Sequence, residues 1–343
     1  MKRRQTYSWL KLGMLAMLTA MLLLTAACGS KAEETNNTTG GGSAVNAPAD
    51  TNTDDGNAAS GNEGSSPSAT VYPLTVKDAT DVELTFAAAP QKVVTLLPSE
   101  TEIMYAIGAG DQVVGVDDYT NYPEEAAAKT KIGGMEANIE AIVGLKPDLV
   151  LASSSMSKPA IDKLRELKLN VYATDPKTYD AVIEKIDQIG IIMDKTAKAA
   201  EVTQHMKDVR QQVQDAVQNA AKPNVYLEFS PGWTVGAGEF LDELIATAGG
   251  INIADQQGWY EIDPEQVIKT NPDVIIYASM IVKEGEINPI LDLIQKRPGW
   301  NAIQAIKNKQ VFEVDQDPLV RVGPRLAEGL QDVAKKLHPD LFK

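Results

Sequence analysis

The chain has a single cysteine, Cys28, among 343 residues. One thiol cannot form an intrachain disulfide, so no covalent staple holds the fold. Histidine is almost as scarce, with only His205 and His338. Two scattered imidazoles cannot build the His/Asp/Glu cluster that holds Zn or Mn, and no metal site is expected. Basic residues are in deficit: 32 Lys and Arg stand against 47 Asp and Glu, a net charge of −15. That balance argues against nucleic acid and against an anionic membrane surface as partners. Catalytic signatures are missing too. There is no G-x-S-x-G elbow, no P-loop, no cysteine nucleophile and no paired His–carboxylate motif. "GAGEF" at 236–240 is Gly-rich but lacks the spacing of a dinucleotide site. An enzyme is not expected.

Long apolar runs are also rare, and the clearest one lies at the start. Lys2, Arg3, Arg4 and Lys11 precede or begin "LGMLAMLTAMLLLTAA", residues 12–27. The run is short for a spanning helix and ends in small residues, which is the pattern of a secretory signal. "LTAAC" resembles the lipobox of bacterial lipoproteins. The resemblance implies that Cys28 becomes the lipidated first residue, palmitate being one such acyl group, and that residues 1–27 are removed. Without the four basic leader residues the net charge is about −19. Residues 28–70 are rich in Gly, Ser, Thr, Asn and Asp and cannot bury enough apolar area to offset their conformational entropy. At ~5–6 Å × √n they make a tether on the order of 35 Å. A lipid anchor holding a soluble module near the outer face of the cell membrane is the expectation.

The remaining 270 or so residues are long enough for two cores. "VYPLTVKDATDVELTF" (71–86) alternates around a turn and reads as a hairpin. Strand and helix patterns then alternate to residue 177, restart at 223 and continue to 343. Between them, 178–222 is helical, with Val202, Met206, Val209, Val213, Ala216 and Ala220 forming one narrow stripe. From Thr196 to Ala221 the helix would run roughly 40 Å, at ~1.5 Å per residue, before Lys222-Pro223 ends it. "MIVKEGEINPILDLI" (280–294) adds a further helix. Trp300, in "RPGWNAIQAI", belongs to the core.

One short sentence is written twice. "IEAIVGLKPDLVLASS" (139–154) and "PEQVIKTNPDVIIYAS" (264–279) lie about 125 residues apart, with Glu140 and Glu265 each seven before a Pro-Asp. Each copy reads as a helix followed by a buried strand, and Pro-Asp supplies turn chemistry. Glu102-Ile103 to Gly108 and Glu243-Leu244 to Gly249 echo each other as well. The fold class is therefore α/β: two Rossmann-like α/β lobes joined by a single long helix. The matched glutamates either stabilise first helical turns or face alike to meet a symmetric partner.

From about Leu74 onward the chain resembles the cobalamin and iron-siderophore class of substrate-binding proteins of ABC importers. "NIEAIVGLKPDLVLAS", "DPEQVIKTNPDVIIYAS", "LPSETEIMYAIGAGDQVVGVDDYTNYP" and "GPRLAEGLQDVAKKLHPD" carry the resemblance. It implies a monomer that binds a small molecule in a cleft between the two lobes, has no resident cofactor, and docks through Glu140 and Glu265 onto arginines of a dimeric ABC permease with its ATPase. A rigid interlobe helix implies little closure on binding. The cleft should be lined by loops at the carboxyl ends of the strands, with Tyr119, Trp233, Trp259, Asp317 and Arg321 as ligand contacts. "VGVDDYTNYP", "GWYEIDPEQV" and "DQDPLVR" are closest to the cobalamin binders. Two of that group's tryptophans are absent, where "IGGMEANIE" has Gly134 and Met135 and where "LASSSM" has small residues. Other corrinoids therefore stay open, and haem or a ferric siderophore is the alternative. His205 on the long helix and His338 in "KKLHPD" do not look like haem ligands, although Tyr119 or Met135 could serve. Only Arg321 and Arg325 are available for an anionic siderophore.

Overall fold

The structure is a computed structural model and describes residues 69–342. The leader, Cys28 and nearly all of the tether lie outside the described residues. The expected hairpin is present, with β1 (Leu74–Lys77) antiparallel to β2 (Glu83–Phe86). Its turn is organised by Asp78, whose carboxylate accepts the Thr80 and Val82 N–H groups and, from a distant strand, that of Ala173.

The first lobe continues with β3 (Val93–Thr95), α1 (Pro98–Ala106), β4 (Val113–Val116), α2 (Glu124–Ala127) and β5 (Thr130–Lys131). It ends with α3 (Ile139–Leu145), β6 (Leu149–Ser153), α4 (Lys158–Glu166) and β7 (Val171–Thr174). Its five strands are all parallel in the order β5-β4-β3-β6-β7. Every residue of β3, β6 and β7 is buried, which is why these strands read as unbroken apolar runs rather than alternating ones.

Two helices follow, α5 (Tyr179–Ile192) and α6 (Thr196–Val217). They pack on each other closely enough that a Cβ at Gly190 would sit 2.3 Å from the Ala199 Cβ. The buried stripe of α6 is Ala199, Thr203, Met206, Val209, Val213 and Val217. It touches α1 on the first lobe and α7 and α12 on the second, so α6 spans both. The helix ends at Val217, not at Ala221 as its spacing predicted. Its 22 residues correspond to about 33 Å. The last expected turn is lost because Ala220 N–H already bonds the Val217 carbonyl in a turn that leads to Pro223.

The second lobe holds β8 (Asn224–Glu228), β9 (Trp233–Val235), α7 (Phe240–Thr247), β10 (Ile251–Asn252), β11 (Trp259–Glu261) and α8 (Pro264–Thr270). It closes with β12 (Val274–Ala278), α9 (Pro289–Lys296), α10 (Gln304–Lys307), β13 (Val311–Val314), α11 (Gln316–Val320) and α12 (Leu326–Leu337). Its parallel sheet runs β10-β8-β12-β13, the same path as β4-β3-β6-β7. The helix expected over 280–294 begins only at Pro289. Asn288 sets that start: its side chain accepts the Ile290 N–H, and proline disfavours helix in the residue before it. Residues 279–288 are a loop instead. Trp300 is fully buried, edge-on to Tyr226 at 5.6 Å.

The duplication is physical and extends to single residues. Asn138 caps α3 by accepting the Ala141 N–H, and Asp263 caps α8 by accepting the Glu265 N–H. Each such cap is worth about 1 kcal/mol. Both helices stop on a left-handed residue, Lys146 at φ 52° and Asn271 at φ 49°. Asp148 then accepts the Gln91 and Lys92 N–H groups at the entry to β3, and Asp273 accepts that of Asn224 at the entry to β8. The repeated Pro-Asp thus does more than turn the chain. Its carboxylate pins the start of the neighbouring parallel strand.

Candidate functional site

Because both sheets are parallel, the loops leaving their strands share one edge in each lobe. The two edges are tied together where the loop after β4 meets α11 and α12. Arg321, 8% exposed, directs its guanidinium at Glu102 of α1 (2.8 Å), at the Asn121 side-chain oxygen (2.7 Å) and at Asp317 (2.7 Å). Asn121 returns a hydrogen bond to Asp317 at 3.1 Å. Arg325 grips the same Glu102 through Nε (3.0 Å) and Nη2 (2.9 Å) and lies over the Tyr122 ring at 4.3 Å. Burial opposes the charge on Arg325, but the hydrogen-bonded Glu102 carboxylate outweighs it and raises its pKa further. Two arginines of one lobe therefore share one buried carboxylate of the other.

Two more contacts cross between the halves. Lys185 of α5 pairs with Glu100 of α1 at 2.8 Å, both almost fully buried, and also reaches the Val322 carbonyl at 3.4 Å. Glu243 of α7 accepts the Tyr179 N–H at the start of α5, at 2.8 Å. Glu243 is the echo of Glu102 noted in the sequence, and both carboxylates leave their own lobe. Sequence reasoning missed Glu100, Glu102 and Asn121 as joining residues. Their role shows only in the folded chain, where Ser99 through Met104 are buried in succession and the two glutamates of α1, withdrawn from water, are met by cations.

The loop carrying Tyr119 is rigidly held. Asp117, 1% exposed, accepts the Tyr119 N–H at 2.8 Å and the Thr120 hydroxyl at 2.5 Å. Lys131 donates to the Asp117 and Thr120 carbonyls. Burial raises the Asp117 pKa, helped by the nearby charge of Glu100, and the hydrogen bonds only partly offset this. Tyr119 remains 60% exposed above Gly134, where a Cβ would come within 3.0 Å of its ring. Gly134 is therefore the residue that leaves room for this tyrosine.

Trp233 and Trp259 come together on the β9–β11 ribbon. The antiparallel register sets Trp233 opposite Glu261 and Trp259 opposite Val235, so both indoles share one face, with the Thr234–Tyr260 pair between them. They are 43% and 42% exposed, with Phe229 edge-on to Trp259 at 6.2 Å. Large aromatic faces left in water on this edge are what a planar, largely apolar ligand would use. Asp317 and Arg321 lie in the interlobe ion network instead of standing free. A separate bowl of about 580 Å³ lies beside that network, lined by Tyr105, Tyr122, Lys198, Glu201, His205 and Glu328 among others. None of the five expected ligand contacts lines it. It does bring His205 of the long helix beside the Tyr122-Pro123 loop. His338 is buried, its Nε2 3.3 Å from the Gly249 carbonyl. Glu140 and Glu265 are both exposed in the first turns of α3 and α8.

Comparison with known proteins agrees with this architecture. An uncharacterised ABC transporter substrate-binding lipoprotein of Bacillus subtilis is 36% identical over 284 residues, 80% of this chain and 88% of that protein. A cobalamin-binding protein of Halobacterium salinarum is 34% identical over 278 residues, 78% of this chain and 74% of the relative. The crystal structure of the periplasmic vitamin B12 binding protein of Vibrio cholerae matches with a TM-score of 0.62 at 27% identity, covering 73% of this chain and 97% of that one. Residues 93–318, from β3 into α11, match the periplasmic binding protein family, so the chain belongs to that family and is a solute-binding protein rather than an enzyme.

Proposed function

We propose that this protein is the substrate-binding subunit of an ABC importer and captures a cobalamin-like corrinoid in the cleft between its lobes. The observation that carries the ligand class is the set of three half-exposed rings, Tyr119 from one lobe and Trp233 with Trp259 from the other. A corrin is a large planar body with polar amides at its rim, and aromatic faces with few charges suit it. The named binding activities of the Halobacterium and Vibrio relatives support the same class. Asp317 and Arg321 would be the polar contacts of this site, and Arg321 would serve a rim amide by sharing its bonds to Glu102 and Asn121. Delivery would run through Glu140 and Glu265 to arginines of a dimeric permease driven by its ATPase. A lipid on Cys28 would keep the monomer at the outer face of the membrane.

The test is a tryptophan-fluorescence titration with cyanocobalamin, cobinamide, haem and a ferric siderophore, with calorimetry alongside. Saturable one-to-one binding of a corrinoid, weakened at least ten-fold in Trp259→Ala, is the expected result. Binding of haem or the siderophore with no corrinoid response would overturn the ligand assignment and leave the importer assignment standing.

A further inference from the structure

The repeat continues past the segment that drew attention in the sequence. Moving back from Glu140 and Glu265 in step, Gly133 and Gly258 both adopt positive φ, 96° and 73°. Three residues further on, Glu136 and Glu261 occupy equivalent places, four before the docking glutamates. Both are exposed. Moving forward through β6 and β12, which are buried at every residue, the chain emerges at Met156 and Ile281, again equivalent. Met156 is 55% exposed and Ile281 is fully exposed. The correspondence ends there, as β6 passes into α4 and β12 into the 279–288 loop.

Among the described residues, none of these four carboxylates has a hydrogen bond or ion pair within the chain. Each lobe thus offers one solvated carboxylate in the first turn of a short helix, a second one four residues earlier (Glu136 in a bend, Glu261 at the end of β11), and a bare apolar side chain three residues past the following strand. All of them lie at the carboxyl edge of their sheet. Nothing inside the molecule requires Glu136 and Glu261 to match, since neither caps its helix. Asn138 and Asp263 do that. A surface duplicated in charge and in apolar contact fits a partner that is itself twofold.

Resting on the importer reading above, we propose that the docking surface has three matched parts per lobe: Glu140 or Glu265, a second carboxylate at Glu136 or Glu261, and an apolar contact at Met156 or Ile281. The partner is the twofold membrane permease, each copy presenting two basic side chains, arginine being best suited to carboxylates, beside an apolar depression.

The test is photo-crosslinking of the full-length lipoprotein in its own cells. p-Benzoylphenylalanine would replace residues 136, 261, 140, 265, 156 and 281 one at a time, with Lys92 and Lys222, at the opposite edges of the sheets, as controls. Adducts would be identified by mass spectrometry. Positions 136 and 261 should give adducts with one and the same segment of a polytopic permease, as should 156 and 281, and the controls none. The pair Glu136→Gln and Glu261→Gln should lower the adduct yield at position 140 at least five-fold. Adducts at 140 and 265 without any at 136, 261, 156 and 281 would overturn the proposal and keep the importer reading. Absence of permease adducts at 140 and 265 too would overturn both.

Discussion

Replacing Glu102 by glutamine tests whether the lobes are held by the charge network or only by α6. The side chain keeps its shape, loses its charge, and turns an N–H₂ group toward guanidinium donors. Glu102 is 2% exposed and accepts three hydrogen bonds, one from Arg321 and two from Arg325. After the change Arg321 retains Asp317, whereas Arg325, with 14% side-chain exposure, keeps no carboxylate within ion-pair distance among the described residues. Removing one partner of a buried pair costs about 3–5 kcal/mol, because the other charge stays buried and unpaired. For a body of this size each kcal/mol moves Tm by roughly 2–4 °C, so Glu102→Gln should lower it by roughly 6–20 °C. Differential scanning calorimetry of the variant would read this directly. Glu201→Gln, which breaks the solvent-exposed Lys198–Glu201 pair, serves as control and should stay within about 0.5 kcal/mol. A Glu102→Gln midpoint within 2 °C of the parent, a threshold of about 1 kcal/mol, would refute the argument that this network joins the lobes.

Gly190→Ala should destabilise by about 1–3 kcal/mol in urea denaturation, since its Cβ would meet that of Ala199 and push α5 from α6. Asp117→Asn probes a carboxyl whose pKa is raised in the folded state, by burial first. The folded chain holds that proton longer than the unfolded one, so this group's contribution is fully present below the ordinary carboxylate range and is lost as pH rises through its folded pKa. Asparagine cannot ionise and can still serve Tyr119 and Thr120. Its stability relative to the parent should therefore improve from pH 3 to pH 7 in urea denaturation, and a flat difference would contradict the raised pKa.

Much of the architecture was written in local chemistry. Gly108 and Gly249 end α1 and α7, Asn271-Pro272 and Lys146-Pro147 end α8 and α3, and buried parallel strands read as continuous apolar runs. These signals act within a few residues, so they survive in a one-dimensional string. The same holds for the copy of about 125 residues, whose caps and left-handed stops recur in both lobes. Where local signals competed, the reading slipped: the apolar spacing of 280–294 suggested a helix that Asn288-Pro289 delays.

By itself, then, the sequence determined the α/β class, the duplicated lobes, the helical connection, the buried Trp300 and the exposed positions of Glu140 and Glu265. Tertiary structure alone decided what joins the lobes and how the site is assembled. Glu102 and Arg325 lie far apart along the chain, and no short-range pattern encodes their meeting. Trp233 and Trp259 share a face only because β9 and β11 pair in one register, and a slip of one residue would send one indole to the opposite side. Distance in sequence carries no information about such encounters, because they are set by the packing of α1, α6 and α12 and by sheet register rather than by any residue's own preference.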